Sequence, residues 1–158
     1  MKSTKQPFII AVDTREQRPY TFKNIKPPPK VIVQGLQTGD YSIAGLDNLV
    51  CVERKSLADL FSSVGTGRQR FEREMVRMSK MDYAALVIES SMAGIFTNPP
   101  SRSKMNPRAV FRTLLSWSIK YNVHVWPAWS REAGEKITYI LLKNFYDFRA
   151  SPKAHTIT

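Results

Sequence analysis

A chain of 158 residues is long enough to bury a core as one domain, and its 24 Lys and Arg against 13 Asp and Glu give a net charge of +11. That balance points to a phosphate-bearing partner, nucleic acid before membrane. A single cysteine excludes an internal disulfide framework, no apolar run reaches the ~18–20 residues of a membrane span, and neither zinc-type Cys/His spacing nor a Walker loop is present. The N-terminus lacks an apolar signal core, so a reducing, cytoplasmic or nucleoid-associated location is expected, nuclear in a eukaryote.

In chain order, Phe8 to Asp13 is apolar and β-branched and reads as a buried strand, closed by Asp13-Thr14-Arg15-Glu16. A loop around Pro27-Pro28-Pro29 follows, then a strand over 31–35. Residues 40–43 and 49–54 read as a hairpin, because Gly45-Leu46-Asp47-Asn48 between them has turn chemistry. Ser56 is placed to cap a short helix that Gly65-Thr66-Gly67 breaks. Residues 68–81 read as a helix with Phe71, Met75 and Met78 on one face and Arg70, Arg73 and Arg77 on another. A strand over 83–89 precedes a turn-rich, mobile-looking stretch, 97–107. Helix 107–121 places Val110, Leu114, Trp117 and Tyr121 on one stripe, a strand covers 123–126, and helix 131–148 is expected to bury Ile137, Ile140, Leu141, Phe145 and Phe148. Trp126 and Trp129 are read first as packing residues and second as base-stacking platforms. Strands interleaved with helices imply an α/β fold, a mixed central β-sheet flanked by helices.

Chemistry concentrates at Gly39-Asp40 and at Glu53-Arg54-Lys55. Strand side chains two apart share a face, so Glu53 and Lys55 point the same way, roughly 6–7 Å apart at Cα, and Arg54 points the other way. If the hairpin forms, Asp40 comes close to Glu53. Two hard oxygen ligands with open positions suit Mg²⁺, with Mn²⁺ able to substitute, and do not suit zinc. Each residue also has a plain reading: Asp40 as a turn cap, Glu53 and Lys55 as solvated charges, Asp13 as a turn residue. Cys51, inside the apolar strand, reads as core. Basic residues crowd the flanks: Arg18, Lys23, Lys26 and Lys30 occur with no acid between Glu16 and Asp40, and Arg102, Lys104, Arg108, Arg112 and Lys120 with none between Glu89 and Glu132.

Gly39-Asp40, a spacer, Glu53-Arg54-Lys55 and then Asp59 resembles the GDXnERKX3D signature of XPF-type structure-specific endonucleases, within the PD-(D/E)XK, restriction-endonuclease-like nucleases. Asp13-Thr14-Arg15-Glu16, Gly67-Arg68-Gln69-Arg70-Phe71 and the strand ending at Glu89 are similar to flanking family elements in the same order, so the resemblance spans about residues 8–150. It implies a nuclease domain over 1–150 with a polar tail at 151–158. It further implies a Mg²⁺-dependent cut in branched, flap or fork DNA, and a catalytic set of Asp40, Glu53, Arg54 and Lys55. Asp40, Glu53 and Asp13 would hold the metal, the last directly or through a water. Lys55 would assist the attacking water. Arg15, Arg68, Arg70 and Arg73 would contact DNA, and Glu16 and Asp59 would support the site, the plain reading of Asp59 being an i,i+4 pair with Lys55. A homodimer through the spare apolar residues of 107–121 and 131–148 is expected, with a partner subunit as the alternative source of branch preference. The competing class is a non-catalytic DNA-binding scaffold, or a Holliday-junction or restriction-type nuclease on the same fold.

Overall fold

The computed structural model describes residues 6–150. The polar tail at 151–158, with His155, lies outside the described residues, as do residues 1–5.

Ile9–Asp13 (β1) runs parallel to Lys30–Gln34 (β2) on one side and antiparallel to Tyr41–Ile43 (β3) on the other. The expected hairpin is present: β3 pairs antiparallel with Val50–Lys55 (β4), Tyr41 opposite Val52. Tyr83–Ile88 (β5) and His124–Pro127 (β6) then add in parallel, giving the order β2-β1-β3-β4-β5-β6. Parallel neighbours need crossovers. Leu57–Val64 (α1) and Arg68–Met78 (α2) carry the chain from β4 to β5, and Met92–Thr97 (α3) with Pro107–Tyr121 (α4) from β5 to β6. These four helices cover one sheet face. Arg131–Ala150 (α5) and the side chains of Tyr20 and Phe22 cover the other. The expected mixed sheet between helices is therefore the architecture found.

β4 is the central partition. Its alternation sends Cys51 into the core beneath α1, α2 and α4, with Leu60, Phe61, Phe71, Met75 and Trp117, and sends Val50 and Val52 into the core beneath α5, with Tyr20, Phe22, Tyr41 and Leu142. Burial raises the Cys51 thiol far above its usual range, which leaves it a core residue. Continuing the alternation, Glu53 and Lys55 emerge on the α1–α2 side and Arg54 on the α5 side. Ser56 caps α1 as expected, its hydroxyl accepting from the Asp59 N–H at 3.1 Å.

Several elements depart from expectation. α2 ends at Met78, three residues early, with Ser79 N–H donating to Met75 C=O. The six-residue α3 was hidden by Gly94 and its flanking serines. α5 meets expectation in part: Ile137, Leu141 and Phe145 pack against the core, but Ile140 and Phe148 are 51% and 66% exposed, while Ala133, Gly134, Thr138 and Leu142 are buried. The small residues let the helix lie close to the sheet. A Cβ on Gly134 would fall 2.4 Å from the Tyr20 hydroxyl. Trp129 is 79% exposed and Trp126 also faces solvent, so neither is a core residue.

Candidate active site

The turn after β1, the turn before β3 and helix α2 converge at the end of β4. Gly39 adopts φ +77, and a Cβ there would approach Cys51 Cβ to 2.8 Å, so only glycine lets the chain pass this close to β4. The pass fixes Asp40. Its N–H donates to Val52 C=O at 2.9 Å, its C=O accepts from Asp13 N–H at 2.8 Å, and its carboxylate accepts the Arg54 N–H at 2.8 Å. The turn thus hands one acid to the strand that carries the next.

Asp40, Glu53 and Lys55 line one open cleft of about 370 Å³, together with Asp13, Arg15, Ser63, Arg70, Phe71, Glu74 and Arg77. Glu53 is 12% exposed and Lys55 15%, with Lys55 Nζ 3.3 Å from Glu53 Oε1 and 4.4 Å from the centre of the Phe71 ring. Burial pushes Asp40 up to about 6. Burial, reinforced by the Asp40 and Glu74 charges, pushes Glu53 up to about 8 against the pull of Lys55. Two acids held this far up mark a negative charge that the protein alone does not neutralise. A divalent cation would supply the missing charge, so the donor set fits one. Among the described residues no three His, Cys, Asp or Glu side chains gather closely enough to enclose a metal. The pair is an open site, of the kind that suits a hard ion keeping water or phosphate oxygens.

Asp13 stands on the cleft wall with both oxygens engaged, one by Arg15 Nε at 2.7 Å and the other by the Leu36 N–H at 2.9 Å. Arg15 also donates to Leu36 C=O at 2.7 Å and keeps its remaining edge to solvent, above the cleft. Glu74 and Arg77 were not singled out for the site. Glu74 Oε1 accepts the Gly39 N–H at 2.9 Å while Oε2 pairs with Arg77, which ties α2 to the turn that presents Asp40. No spacing rule reveals this, since the contact joins residues 35 apart. Of the expected DNA-contacting arginines, Arg15 and Arg70 reach the cleft. Arg68 is turned to Glu72, at 3.2 Å, and to the Trp117 ring, and Arg73 points to the far side of α2.

Arg54 does not line the cleft with Glu53 and Lys55. It is 10% exposed on the opposite side of β4, gripping Glu16 with two donors at 3.0 and 3.1 Å and Glu89 at 3.2 Å. Glu89 also accepts from Tyr20 Oη at 2.8 Å and from Arg131 at 3.1 Å. Burial opposes the Arg54 charge, but Glu16 and Glu89 outweigh it and hold the guanidinium firmly protonated. Burial likewise works against the Glu16 charge, and Arg54 and the Arg18 N–H keep its pKa low nonetheless. Glu16, Arg54, Glu89 and Arg131 are one clamp joining β1's following loop to β4, the end of β5 and the start of α5. Asp59 forms no ion pair with Lys55; it accepts from Ser56 Oγ at 2.7 Å and steadies the start of α1.

The family model of the ERCC4 domain matches residues 12–141, from the end of β1 into α5. The chain belongs to the ERCC4 domain family. The fold of this ERCC4 domain is that of XPF from Aeropyrum pernix, with a TM-score of 0.69 at 19% identity over 87% of this chain and 61% of that one. XPF from Aeropyrum pernix in complex with DNA superposes with a TM-score of 0.65, again at 19% identity, over 96% of this chain and 69% of the other. The ERCC4 domain described here thus spans about three fifths to two thirds of those proteins. A comparison with curated proteins returned no match.

Proposed function

We propose that this ERCC4 domain is a Mg²⁺-dependent endodeoxyribonuclease that hydrolyses phosphodiester bonds in branched, flap or fork DNA. The observation that carries the proposal is the meeting of Asp40, Glu53 and Lys55 in one open cleft rimmed by Arg15, Arg70 and Arg77. Membership of the family and the fold shared with an XPF solved in complex with DNA support the same reading.

Asp40 and Glu53 would hold the metal, with Asp13 as an outer carboxylate on the same wall. When bound, the ion supplies a water of lowered pKa and positive charge beside the phosphate oxygens. The chain's own residues do the rest. Lys55, held between Glu53 and the Phe71 ring, presents its ammonium where negative charge develops on the phosphate. Arg15, Arg70 and Arg77 orient the backbone from the rim. Phe71 and the Gly39 turn line the cleft beside these charges. Arg54 acts through position only, keeping β4 in register with Glu16 and Glu89.

A homodimer is part of the proposal: Leu115 and Ile119, one turn apart on α4, are exposed apolar residues that a second copy could cover. Incubating the protein with end-labelled flap, fork, four-way and linear duplex DNA in Mg²⁺, or Mn²⁺, beside Glu53→Ala tests the central claim. Metal- and Glu53-dependent cutting of branched forms is expected. Binding without cutting in either metal would turn the reading to a scaffold domain, and sequence-specific cutting of linear duplex to a restriction-type enzyme.

A further inference from the structure

Arg77 lines two cavities. One is the cleft; the other is a groove of about 560 Å³ along the far side of α2, lined by Gln69, Glu72, Arg73, Val76, Arg77 and Tyr121. α2 is therefore a ridge between them. Arg70, Arg73 and Arg77 fall at i, i+3 and i+7, a single exposed stripe about 10 Å long running along that ridge. Among the described residues Arg70 and Arg73 have no ion-pair partner. The groove's one acid is already neutralised, since Glu72 takes Arg68 at 3.2 Å and the Trp117 Nε1–H at 3.1 Å. At the far end Lys120 lies over the Tyr121 ring, 4.9 Å from its centre. Val76 offers an exposed apolar wall between the charges.

We infer that one DNA strand leaves the cleft over α2 and continues in this groove, its phosphates held by Arg73, Arg77 and Lys120 and its sugars lying on Val76, with the buried Tyr121 closing the groove's end. The inference rests on the nuclease reading and adds the strand's path. Ten ångströms of arginine stripe matches about three phosphates of a stacked strand. Cations flanking an exposed apolar wall suit a single strand, charge for the phosphates and Val76 for the sugars. The rival basic patch, Arg102 and Lys104 beside the larger cavity at Gly65 and Met105, has no residue in common with the cleft.

The test measures binding without cleavage. Fluorescence anisotropy of a labelled fork, in Ca²⁺ and over a NaCl series, would compare the full chain with Arg73→Ala/Lys120→Ala and with Arg102→Ala/Lys104→Ala. The first double variant is expected to bind about tenfold more weakly, with the slope of log affinity against log salt smaller by about 1.4–1.8. In parallel, Val76→Cys carrying a benzophenone should crosslink to nucleotides within about three of the cut; the only native thiol, Cys51, is buried and escapes the label. Unchanged affinity and slope in the first variant, or crosslinks only from a Lys104→Cys label, would overturn the path while leaving the nuclease reading intact. Failure of the unaltered protein to bind any DNA would overturn both, and is recognised by its appearing before any substitution is made.

Discussion

Glu53 and Asp40 titrate near 4 in an unfolded chain, and in the fold they are pushed up to about 8 and about 6. Between those limits the folded protein binds more protons than the unfolded one, so without a cation their contribution to stability is complete below about pH 4 and declines as the pH climbs to about 8. Glu53→Gln removes the charge and keeps the shape. In EDTA at pH 8 this variant should be more stable than the parent by on the order of 2 kcal/mol, and the gap should close at pH 4.5. Thermal melts at the two pH values decide it. Millimolar Mg²⁺ should raise the Tm of the parent at pH 8 and leave that of Glu53→Gln nearly unmoved, by mass action on the folded state. Lys55→Ala should abolish cleavage while DNA affinity stays within about tenfold, because one cation among many releases about one counterion; anisotropy beside a cleavage assay measures both. Glu74 holds the Gly39 N–H through an acceptor oxygen that glutamine also has. Glu74→Gln should therefore keep Mn²⁺ affinity by calorimetry within about threefold, whereas Glu74→Ala should weaken it about tenfold or more.

At the scale of elements, β4 divides its labour by parity. The period of two made Glu53 and Lys55 legible as a pair, and put Arg54 on the far side, from the sequence alone. Whether Arg54 would meet a phosphate or an acid there was not legible, because Glu16 and Glu89 reach it only through the β1 turn and the end of β5. Truncating one member of that clamp strands buried charge. Arg54→Ala should cost about 3–5 kcal/mol in urea unfolding, and Arg54→Lys should recover little of it, since an ammonium cannot span Glu16 and Glu89 as the guanidinium fork does. Ser56→Ala removes the cap of α1 and should cost about 1 kcal/mol by the same measurement. α5 shows the opposite limit. Its apolar residues surround the axis, so periodicity alone named Ile140 and Phe148 as inward. The face that packs was set by the smallness of Ala133 and Gly134 against Tyr20, a property of the contact and not of the pattern.

At the scale of the whole molecule, the mixed sheet, the hairpin and the order of crossovers followed from strand length, turn chemistry and helix stripes, while the rim of the cleft did not. Glu74 and Arg77 join Asp40 only because α2 lies across the end of β4. The walls of the cleft come from four stretches of chain, 13–15, 39–40, 53–55 and 63–77. They meet only when β1, β3 and β4 are in register and α2 has docked. On the proposed nuclease reading, such a protein carries its own safety catch: a nascent, truncated or partly unfolded chain would keep its basic charge and could cling to DNA, but it would have no blade. Binding would outlast cutting as the protein is loosened, and the loss of cutting in rising urea would fall on the same curve as the loss of the sheet itself.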